Sequence, residues 1–255
     1  MNNNKLLELY NKTSKHSHYQ VLSKPLRDLL STNGYIIKSR FEQERFNYLT
    51  KHLTLNNFSL VDIGGNTGFF TLESIHHGAA SVLYIEGNNT HCDFVKEAVR
   101  ILKWENRVTI HNEYINFQKD LFYINSDICL LLNVLHHVGD DYCKDKTFIE
   151  QAKTEIIHSL INLHKHTRYL IFQLGFNWKG NTNTPLFTGG TKKEIIHFIE
   201  NKISEQWTIE CIGIAEKTDG TVTYNEINNE NIKRNDLLGE FLNRPIFILK
   251  SKYFL

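Results

Sequence analysis

Apolar and polar positions alternate in blocks from residue 58 onward, with short runs rich in Val, Ile and Leu separated by longer amphipathic stretches. This alternation predicts buried strands joined by helices, as in an α/β domain built around a parallel sheet. Seven strands are predicted, at 58–63, 81–86, 107–111, 127–133, 168–174, 207–215 and 244–250. Helices are predicted at 68–77, 90–104, 146–163 and 191–203. Thr191 is the expected N-cap of the last helix, with Glu194 as its capping-box partner.

Two stretches depart from this alternation. Residues 1–57 lack a strand pattern and are predicted to be helical in pieces, notably at 39–53, with Pro25 as a break. Residues 216–242 are polar and rich in Asn and Gly, which indicates a long excursion that either covers a site or forms a plain surface loop. We therefore expect an N-terminal helical lid or extension over 1–57 and a main domain over 58–255.

Composition and charge narrow the function classes. The chain has 255 residues, of which 41% are hydrophobic, so it can bury a core. Lys and Arg number 29 against 28 Asp and Glu, and this balance does not favour nucleic acid as a partner. The four cysteines form no Cys-x-x-Cys pair, which predicts reduced thiols rather than disulfides or a zinc site. The N-terminus has no signal peptide pattern and no run suits a membrane span, so we expect a cytoplasmic location.

A glycine-rich turn, DIGGNTG at 62–68, joins the first predicted strand to the first helix. Such a turn lets a ligand approach bare backbone and a helix N-terminus. Glu86 ends the second strand about 20 residues later, where a carboxylate can accept hydrogen bonds from ribose hydroxyls. These two features suit a nicotinamide dinucleotide as well as S-adenosylmethionine. Asp62 favours the second, because a carboxylate repels a pyrophosphate and attracts the sulfonium and ammonium cations of S-adenosylmethionine.

At these residues the sequence resembles the class I S-adenosylmethionine-dependent methyltransferase family. Asp62, Gly64 and Gly68 match the family signature acidic-x-Gly-x-Gly-x-Gly, and Asn66 stands at its middle glycine. The resemblance implies a Rossmann-like class I methyltransferase fold, a seven-stranded, mostly parallel sheet with an antiparallel last strand and helices on both faces. It implies that 64–68 wraps the methionine moiety, Glu86 holds the ribose, and Asn112 or Glu113 meets the adenine amine. The expected cofactor-binding residues are Asp62, Gly64, Gly65, Asn66, Gly68, Phe69, Glu86, Gly87, Asn112, Glu113 and Asn133.

A histidine pair follows the fourth predicted strand, in the run DICLLLNVLHHV at 127–138. The carboxyl end of such a strand is where open α/β sheets bind ligands, and a neutral imidazole is a suitable general base there. The Asn-x-Leu-His-His stretch resembles that of small-molecule and sugar O-methyltransferases, in which a histidine takes the proton of an acceptor hydroxyl. Either His136 or His137 is expected to be the base. The alternative is that one histidine caps a structural element while the other is exposed to solvent.

No metal is expected from the sequence. Some sugar methyltransferases have an acid at the end of the fifth strand, and this chain has Gln173 there instead. Asp140 and Asp141 lie near the histidines in sequence and could contribute ligands. The interpretation we favour for these two acids is the start of the following helix, where carboxylates stabilise the first turn.

The acceptor is expected to bind where polar and aromatic side chains leave the fifth strand and near the polar N-terminal stretch. Surface positions with no role in binding are the alternative for the N-terminal residues. A cationic group of Lys38, Arg40 and Arg45 could hold an anionic acceptor, or could be a solvated helix face. The expected substrate-binding residues are His18, Tyr19, Arg40, Gln173, Asn177, Trp178 and Lys179.

The leading hypothesis is O-methylation of a polar sugar or a phosphorylated small metabolite, as in the biosynthesis of capsule and other surface polysaccharides. An RNA methyltransferase, such as one acting on transfer RNA, is the first alternative, although the basic appendage expected for it is missing. A non-catalytic module that binds S-adenosylmethionine is the second.

Overall fold

The computed structural model describes residues 3–12, 17–30, 34–35, 37–119, 121–143, 145 and 147–254. The chain forms two compact units, Met1–Ile115 and Asn116–Leu255, and the predicted boundary at 57/58 lies inside the first. Both units alternate strands and helices, so the chain is of the α/β, Rossmann-like class. Within the described ranges, every helix is too short or too polar to traverse a lipid bilayer.

The first unit contains a parallel sheet in the order β3-β2-β1. Ile63 pairs with Ile85, and Ile85 pairs with His111, so the carboxyl ends of the three strands are level. The residues that follow each strand therefore meet at one edge of this sheet. The elements are the helices α1 (Asn3–Asn11), α2 (Lys24–Leu29), α3 (Glu42–His52), α4 (Phe69–His76) and α5 (Asn89–Leu102), and the strands β1 (Ser59–Ile63), β2 (Ser81–Ile85) and β3 (Val108–His111).

The helix α5 shows how local sequence sets these boundaries. Asn88 is its N-cap, and the Asn88 side chain accepts hydrogen bonds from the backbone N–H groups of Thr90 and His91. Phe94 and Ala98, at four-residue spacing, are buried on one face. The helix ends where Lys103 adopts a left-handed conformation with φ of 58°.

The N-terminal helices pack on the strand and helix core of the first unit. The amine of Lys5 on α1 lies 3.1 Å from the buried carboxylate of Glu97 on α5. The helix predicted at 39–53 is observed as α3, which begins at Glu42. The start is later than predicted because the Glu42 carboxylate accepts the Ser39 hydroxyl at 2.9 Å and the Arg40 backbone N–H at 2.7 Å, which forms a turn ahead of the helix.

The second unit contains strands in the order β4-β5-β8-β6-β7. β4 and β5 are parallel, whereas β8 is antiparallel to both β5 and β6, as predicted for the last strand. Residue 146, at the start of the predicted helix 146–163, lies outside the described residues. The elements are the strands β4 (Ser126–Leu132), β5 (Thr167–Gln173), β6 (Trp207–Thr218), β7 (Thr221–Glu226) and β8 (Ile246–Ser251), and the helices α6 (Ile149–Leu163), α7 (Lys192–Ile203) and α8 (Gly239–Leu242).

The structure corrects the strand count, since the described residues form eight strands rather than seven. The additional strand, β7, lies in the segment predicted as an excursion. β6 continues to Thr218, which pairs with Thr221 across a two-residue turn. Asp219 and Gly220 in that turn have φ of 49° and 84°, the geometry of a tight hairpin. The Asp-Gly pair between β-branched residues is the signal that could have predicted this hairpin.

The remainder of the 216–242 segment is fixed by hydrogen bonds to the start of α7. The buried amine of Lys192 donates to the carbonyl oxygens of Asn231 at 2.8 Å and Lys233 at 2.9 Å. Burial lowers the pKa of Lys192 from its ordinary value, with the nearby carboxylate of Glu216 acting in the opposite direction. Arg234 also donates to the carbonyl of Gly190. The segment is therefore an ordered part of the second unit.

The predicted capping box at the start of α7 is present in the structure. Thr191 accepts the backbone N–H of Glu194, and the Glu194 carboxylate accepts the backbone N–H of Thr191. Because an N-cap side chain contributes about 1 kcal/mol, we expect Thr191→Ala to lower the free energy of unfolding by about that amount in urea denaturation. The matched control is Lys193→Ala, an exposed position two residues on, which should change stability by only a few tenths of a kcal/mol. Equal stabilities for the two variants would contradict this role for the cap.

Candidate functional site

The turn between β1 and α4 contains three residues in the left-handed region. Gly64, Asn66 and Gly68 have φ of 71°, 53° and 75°. Asn adopts this conformation more readily than other residues with side chains, so Asn66 fits the place of the middle glycine in the family signature. The turn therefore has the backbone shape that its glycine pattern predicts.

Gly65 is required by close packing beneath the turn. A Cβ atom at Gly65 would lie 2.5 Å from Cε2 of Tyr84 and 2.9 Å from Oδ2 of Asp62. The Tyr84 hydroxyl also donates a hydrogen bond to the carbonyl oxygen of Asn66. The aromatic ring from β2 thus supports the turn from below, and only glycine leaves room for it.

The Glu86 carboxylate joins two turns of the first unit. Its Oε2 accepts the backbone N–H of Asn66 at 2.9 Å, and its Oε1 accepts the backbone N–H of Asn88 at 2.8 Å. Burial acts to raise the pKa of Glu86, but the hydrogen bond and charge of His91 and these two N–H donors outweigh it and lower the pKa below its ordinary value. Glu86 is therefore ionised at neutral pH. Its Oε1 retains a further lone pair for a ligand hydroxyl.

Asp62 supplies a second carboxyl group at the turn. It is buried, and its Oδ2 accepts the Thr71 hydroxyl at 2.7 Å. Burial raises the pKa of Asp62 to about 6, against the opposing effect of the Thr71 hydrogen bond. The Coulombic effect of Glu86 acts in the same direction as burial. A cation bound here would favour the ionised form of Asp62.

The other predicted cofactor residues of this unit lie around the same sheet edge. The backbone of Gly87 is packed against Tyr114, whose ring would be 2.5 Å from an added Cβ. Asn112 is exposed, and its Nδ2 donates to the Glu86 carbonyl at 3.0 Å. Glu113 is also exposed, with its Oε1 3.6 Å from Nδ1 of His111. Asn112 and Glu113 are therefore both accessible to a ligand.

Phe69 contributes its backbone rather than its ring to the turn. The ring is buried against Phe46 and Phe70. Its backbone N–H donates to Oε1 of Gln20 at 3.0 Å. The polar N-terminal stretch that contains Gln20 was noted from the sequence, but this contact with a residue 49 positions later was not predicted.

The predicted acceptor residues of the N-terminal segment lie near Gln20 in sequence. His18 has a left-handed backbone with φ of 64°, and its ring centroid is 5.6 Å from that of Tyr10. The Arg40 guanidinium lies 4.8 Å from the ring centroid of Tyr19. Arg45, by contrast, is buried and has its Nη2 3.5 Å from Oε1 of Glu42. The predicted cationic group is therefore wrong for Arg45, which is a paired core residue.

The histidine pair after β4 consists of one buried and one partly exposed ring. His136 is 3% exposed, and its Nδ1 accepts the backbone N–H of Gly175 at 3.3 Å. A Cβ atom on Gly175 would lie 2.8 Å from this imidazole. The His137 ring centroid is 4.3 Å from that of His136, and His137 Nδ1 is 3.8 Å from Oδ2 of Asp141. His137 is the more accessible of the two.

The interpretation of Asp140 and Asp141 as the start of a helix is wrong. Their backbone N–H groups donate to the His137 carbonyl at 3.0 and 3.1 Å, which closes a turn directly after the histidines. The next helix, α6, begins only at Ile149. Because the turn folds back, the Asp141 carboxylate lies beside His137.

A polar cluster forms at the ends of β4 and β5. Asn133 Nδ2 donates to Gln173 Oε1 at 2.8 Å, and Gln173 Nε2 donates to the Arg244 carbonyl at 3.0 Å. The Arg244 guanidinium donates to Asn133 Oδ1 at 2.8 Å and pairs with Glu240. Glu240 Oε1 accepts the Phe176 backbone N–H at 3.1 Å. Sequence reasoning found Asn133 and Gln173 but missed Arg244 and Glu240, which lie far along the chain in no recognisable motif.

The segment after β5 packs against the protein and does not present all of its side chains to a ligand. The Trp178 side chain is buried, and its indole N–H donates to the Val138 carbonyl at 2.6 Å. Lys179 is exposed, with its amine 4.4 Å from the Trp178 ring centroid. Asn177 forms a bridge with Pro185. Trp178 thus ties this segment to the turn after the histidines, while Lys179 remains accessible.

Comparison with solved structures supports the fold. A protein called "putative hemolysin" from Streptococcus thermophilus matches with a TM-score of 0.51 at 14% identity, over 84% of this chain and 66% of that one. A "putative rRNA-methylase" from Clostridium thermocellum matches with a TM-score of 0.49 at 10% identity, over 85% and 97%. A protein of the NADB-Rossmann superfamily from Streptococcus agalactiae matches with a TM-score of 0.47 at 10% identity, over 82% and 68%. No protein-family model and no curated protein matches the sequence. Of these three structures, the first has a TM-score above 0.5, and at 14% identity its likeness concerns the fold alone.

The raised pKa of Asp62 predicts a dependence of stability on pH. Between about pH 4 and pH 6 the folded chain holds the Asp62 proton, whereas the unfolded chain, with an ordinary pKa of 3.8, has released it. Stability therefore falls as pH rises through this window, by about 3 kcal/mol for a shift of this size. Asp62→Asn should remove that part of the fall, as measured by urea denaturation at pH 4 and pH 7. Asp93→Asn, at an exposed acid, is the control. A fall as steep in Asp62→Asn as in the wild type would contradict the prediction.

Proposed function

We propose that this protein is an S-adenosylmethionine-dependent methyltransferase. The observation that carries the proposal is the pair of carboxyl groups at the glycine turn, Asp62 beneath it and Glu86 bonded to it. A dinucleotide would bring a pyrophosphate to such a turn, and the Asp62 carboxylate would repel it, whereas Glu86 suits the ribose of either cofactor. A nucleoside with a sulfonium and an ammonium group is attracted by Asp62.

The residues of the first unit fit this cofactor. Glu86 is ionised and its Oε1 has a lone pair left for a ribose hydroxyl, and Asn112 and Glu113 are exposed at the level of the next strand end. Gly65 and Gly68 let the turn pack closely on Tyr84 and Val95, and Gly64 gives it a left-handed bend directly after β1. When bound, the cofactor supplies a methyl group on a positively charged sulfur, which makes it open to displacement by a nucleophile.

We propose that His137 is the general base. Its ring is partly exposed, whereas His136 is buried and has its Nδ1 engaged by Gly175. The Asp141 carboxylate beside Nδ1 of His137 favours a proton on that nitrogen, and this leaves Nε2 to accept the proton of an acceptor hydroxyl. His136 then serves to support the adjacent ring of His137, which is tilted by 41° to its own.

The acceptor in this proposal is a polar sugar or a phosphorylated small metabolite, methylated on oxygen, as in surface-polysaccharide biosynthesis. A histidine base suits a hydroxyl group, whose proton must leave as the methyl group arrives. The balanced charge of the chain favours a small acceptor over a polyanion such as RNA. Lys179 and Arg40 are cationic side chains in reach of solvent that suit a phosphate.

Cofactor binding tests the first step of the proposal. We expect the wild type to bind S-adenosylmethionine, and not NAD, in titration calorimetry. Glu86→Gln should weaken the affinity between about tenfold and about a hundredfold, because a charge-assisted hydrogen bond contributes about 1.5 to 3 kcal/mol. Glu105→Gln, at an exposed acid of the same unit, is the matched control and should bind as the wild type does. Preference for NAD would refute the proposal.

Methyl transfer tests the acceptor and the base. With methyl-labelled S-adenosylmethionine, we expect label in a pool of nucleotide sugars, phosphorylated metabolites or polysaccharide. His137→Ala should then reduce turnover by about a hundredfold while cofactor affinity changes little, because only a proton-transfer group is lost. His158→Ala, at an exposed histidine of α6, is the control. Label in RNA would refute the acceptor class, and cofactor binding without transfer to any pool would identify a binding module.

A further inference from the structure

Gln20 caps the helix that follows the glycine turn. Its side chain is 8% exposed, and its Oε1 accepts the backbone N–H of Phe69 at 3.0 Å and the Thr67 hydroxyl at 3.2 Å. Phe69 is the first residue of α4, and the first N–H groups of a helix lack partners within it. The residue before it, Gly68, has no side chain that could serve as a cap. Gln20, which is distant in sequence, therefore accepts the hydrogen bond that no side chain at position 68 can accept.

Gln20 is itself held in place by other parts of the first unit. The backbone carbonyl oxygen of Gln20 accepts a hydrogen bond from the hydroxyl of the buried Tyr10 on α1 at 2.7 Å. Two residues earlier, the His18 carbonyl accepts the Lys38 backbone N–H at 2.7 Å. Four residues later, the Lys24 backbone N–H donates to the buried carboxylate of Glu73 on α4. The chain on both sides of Gln20 is thus anchored, so its side chain is presented to the turn in a defined position.

We propose that Gln20 is a positioning residue of the cofactor site. By holding the backbone from Thr67 to Phe69, it keeps the carboxyl half of the turn in the shape that receives the ligand. Residues 17–24 are then a fixed wall of the site rather than a cover that opens and closes. This inference rests on the proposed function, since it concerns the same cofactor.

The test separates the hydrogen-bond acceptor of Gln20 from its bulk. Gln20→Met keeps the length of the side chain and removes its strong acceptor, whereas Gln20→Glu keeps an acceptor oxygen. We expect Gln20→Met to weaken S-adenosylmethionine binding by about tenfold in calorimetry, and Gln20→Glu to stay within about threefold of the wild type. Gln43→Met, at a partly exposed position of α3, is the matched control.

A second readout needs no cofactor. In the unliganded protein, the Phe69 amide should exchange its hydrogen about tenfold faster in Gln20→Met than in the wild type, and at the wild-type rate in Gln20→Glu. If Gln20→Met does not fold, Thr67→Val removes only the hydroxyl donor to Gln20, and we expect a smaller loss of affinity in the same direction.

The outcomes distinguish this inference from the proposed function. Wild-type affinity and wild-type amide exchange in Gln20→Met, or an unchanged affinity in Thr67→Val, would overturn the role of Gln20 while cofactor binding by the wild type still stands. Failure of the wild-type protein to bind S-adenosylmethionine would overturn the proposed function, and the cofactor role of Gln20 with it. Loss of affinity in Gln20→Met with recovery in Gln20→Glu would support the inference.

Discussion

The site of the first unit depends on the hydrogen bonds that the Glu86 carboxylate accepts. A buried charge is stable only when it is hydrogen-bonded, and each oxygen of Glu86 accepts a backbone N–H from a different turn. One of these turns follows β1 and carries Asn66 in the left-handed region, and the other starts α5 at Asn88. The same hydrogen bonds therefore determine the position of the turn, the start of α5 and the ionised state of Glu86. Tyr84 completes it, because its ring fills the space that the absence of a side chain at Gly65 leaves.

In the second unit, the backbone of Gly175 and Phe176 has a comparable role. Gly175 donates its N–H to His136, and the next residue, Phe176, donates its N–H to Glu240. Glu240 in turn pairs with Arg244, which also bonds to Asn133 at the end of β4. The buried histidine and the polar cluster are thereby linked through consecutive backbone amides. A displacement of this segment would disturb both sets of side chains together.

The sequence predicted what local pattern determines and missed what distant partners determine. Most strand boundaries agree with the structure within one or two residues, because apolar runs and turn residues set them. β6 is longer than predicted and β7 was missed, because four of the six residues of β7 are exposed and its polar residues resemble a loop. The acids Asp62 and Glu86 were found from their spacing to the glycines. The contacts of Gln20, Glu240 and Arg244 were not found, because nothing local marks a residue whose partner lies tens of positions away. The unequal burial of His136 and His137 depends on the packing of Gly175 against His136, which only the folded chain reveals.

The packing of α1 has a consequence for the order in which the chain folds during synthesis. Lys5 on α1 contacts Glu97, 92 residues later, and Gln20 contacts Phe69, 49 residues later. The ribosome therefore releases the N-terminal helices long before their partners are synthesised. Leu6 and Tyr10 are fully buried in the folded unit, but they remain solvated until those partners are present. Contacts so distant in sequence form late, after the local turns and hairpins. Residues of α1 are thus made well before their partners and reach their final positions late, and a nascent chain stalled before residue 97 would expose an apolar helix face to chaperones or to other chains.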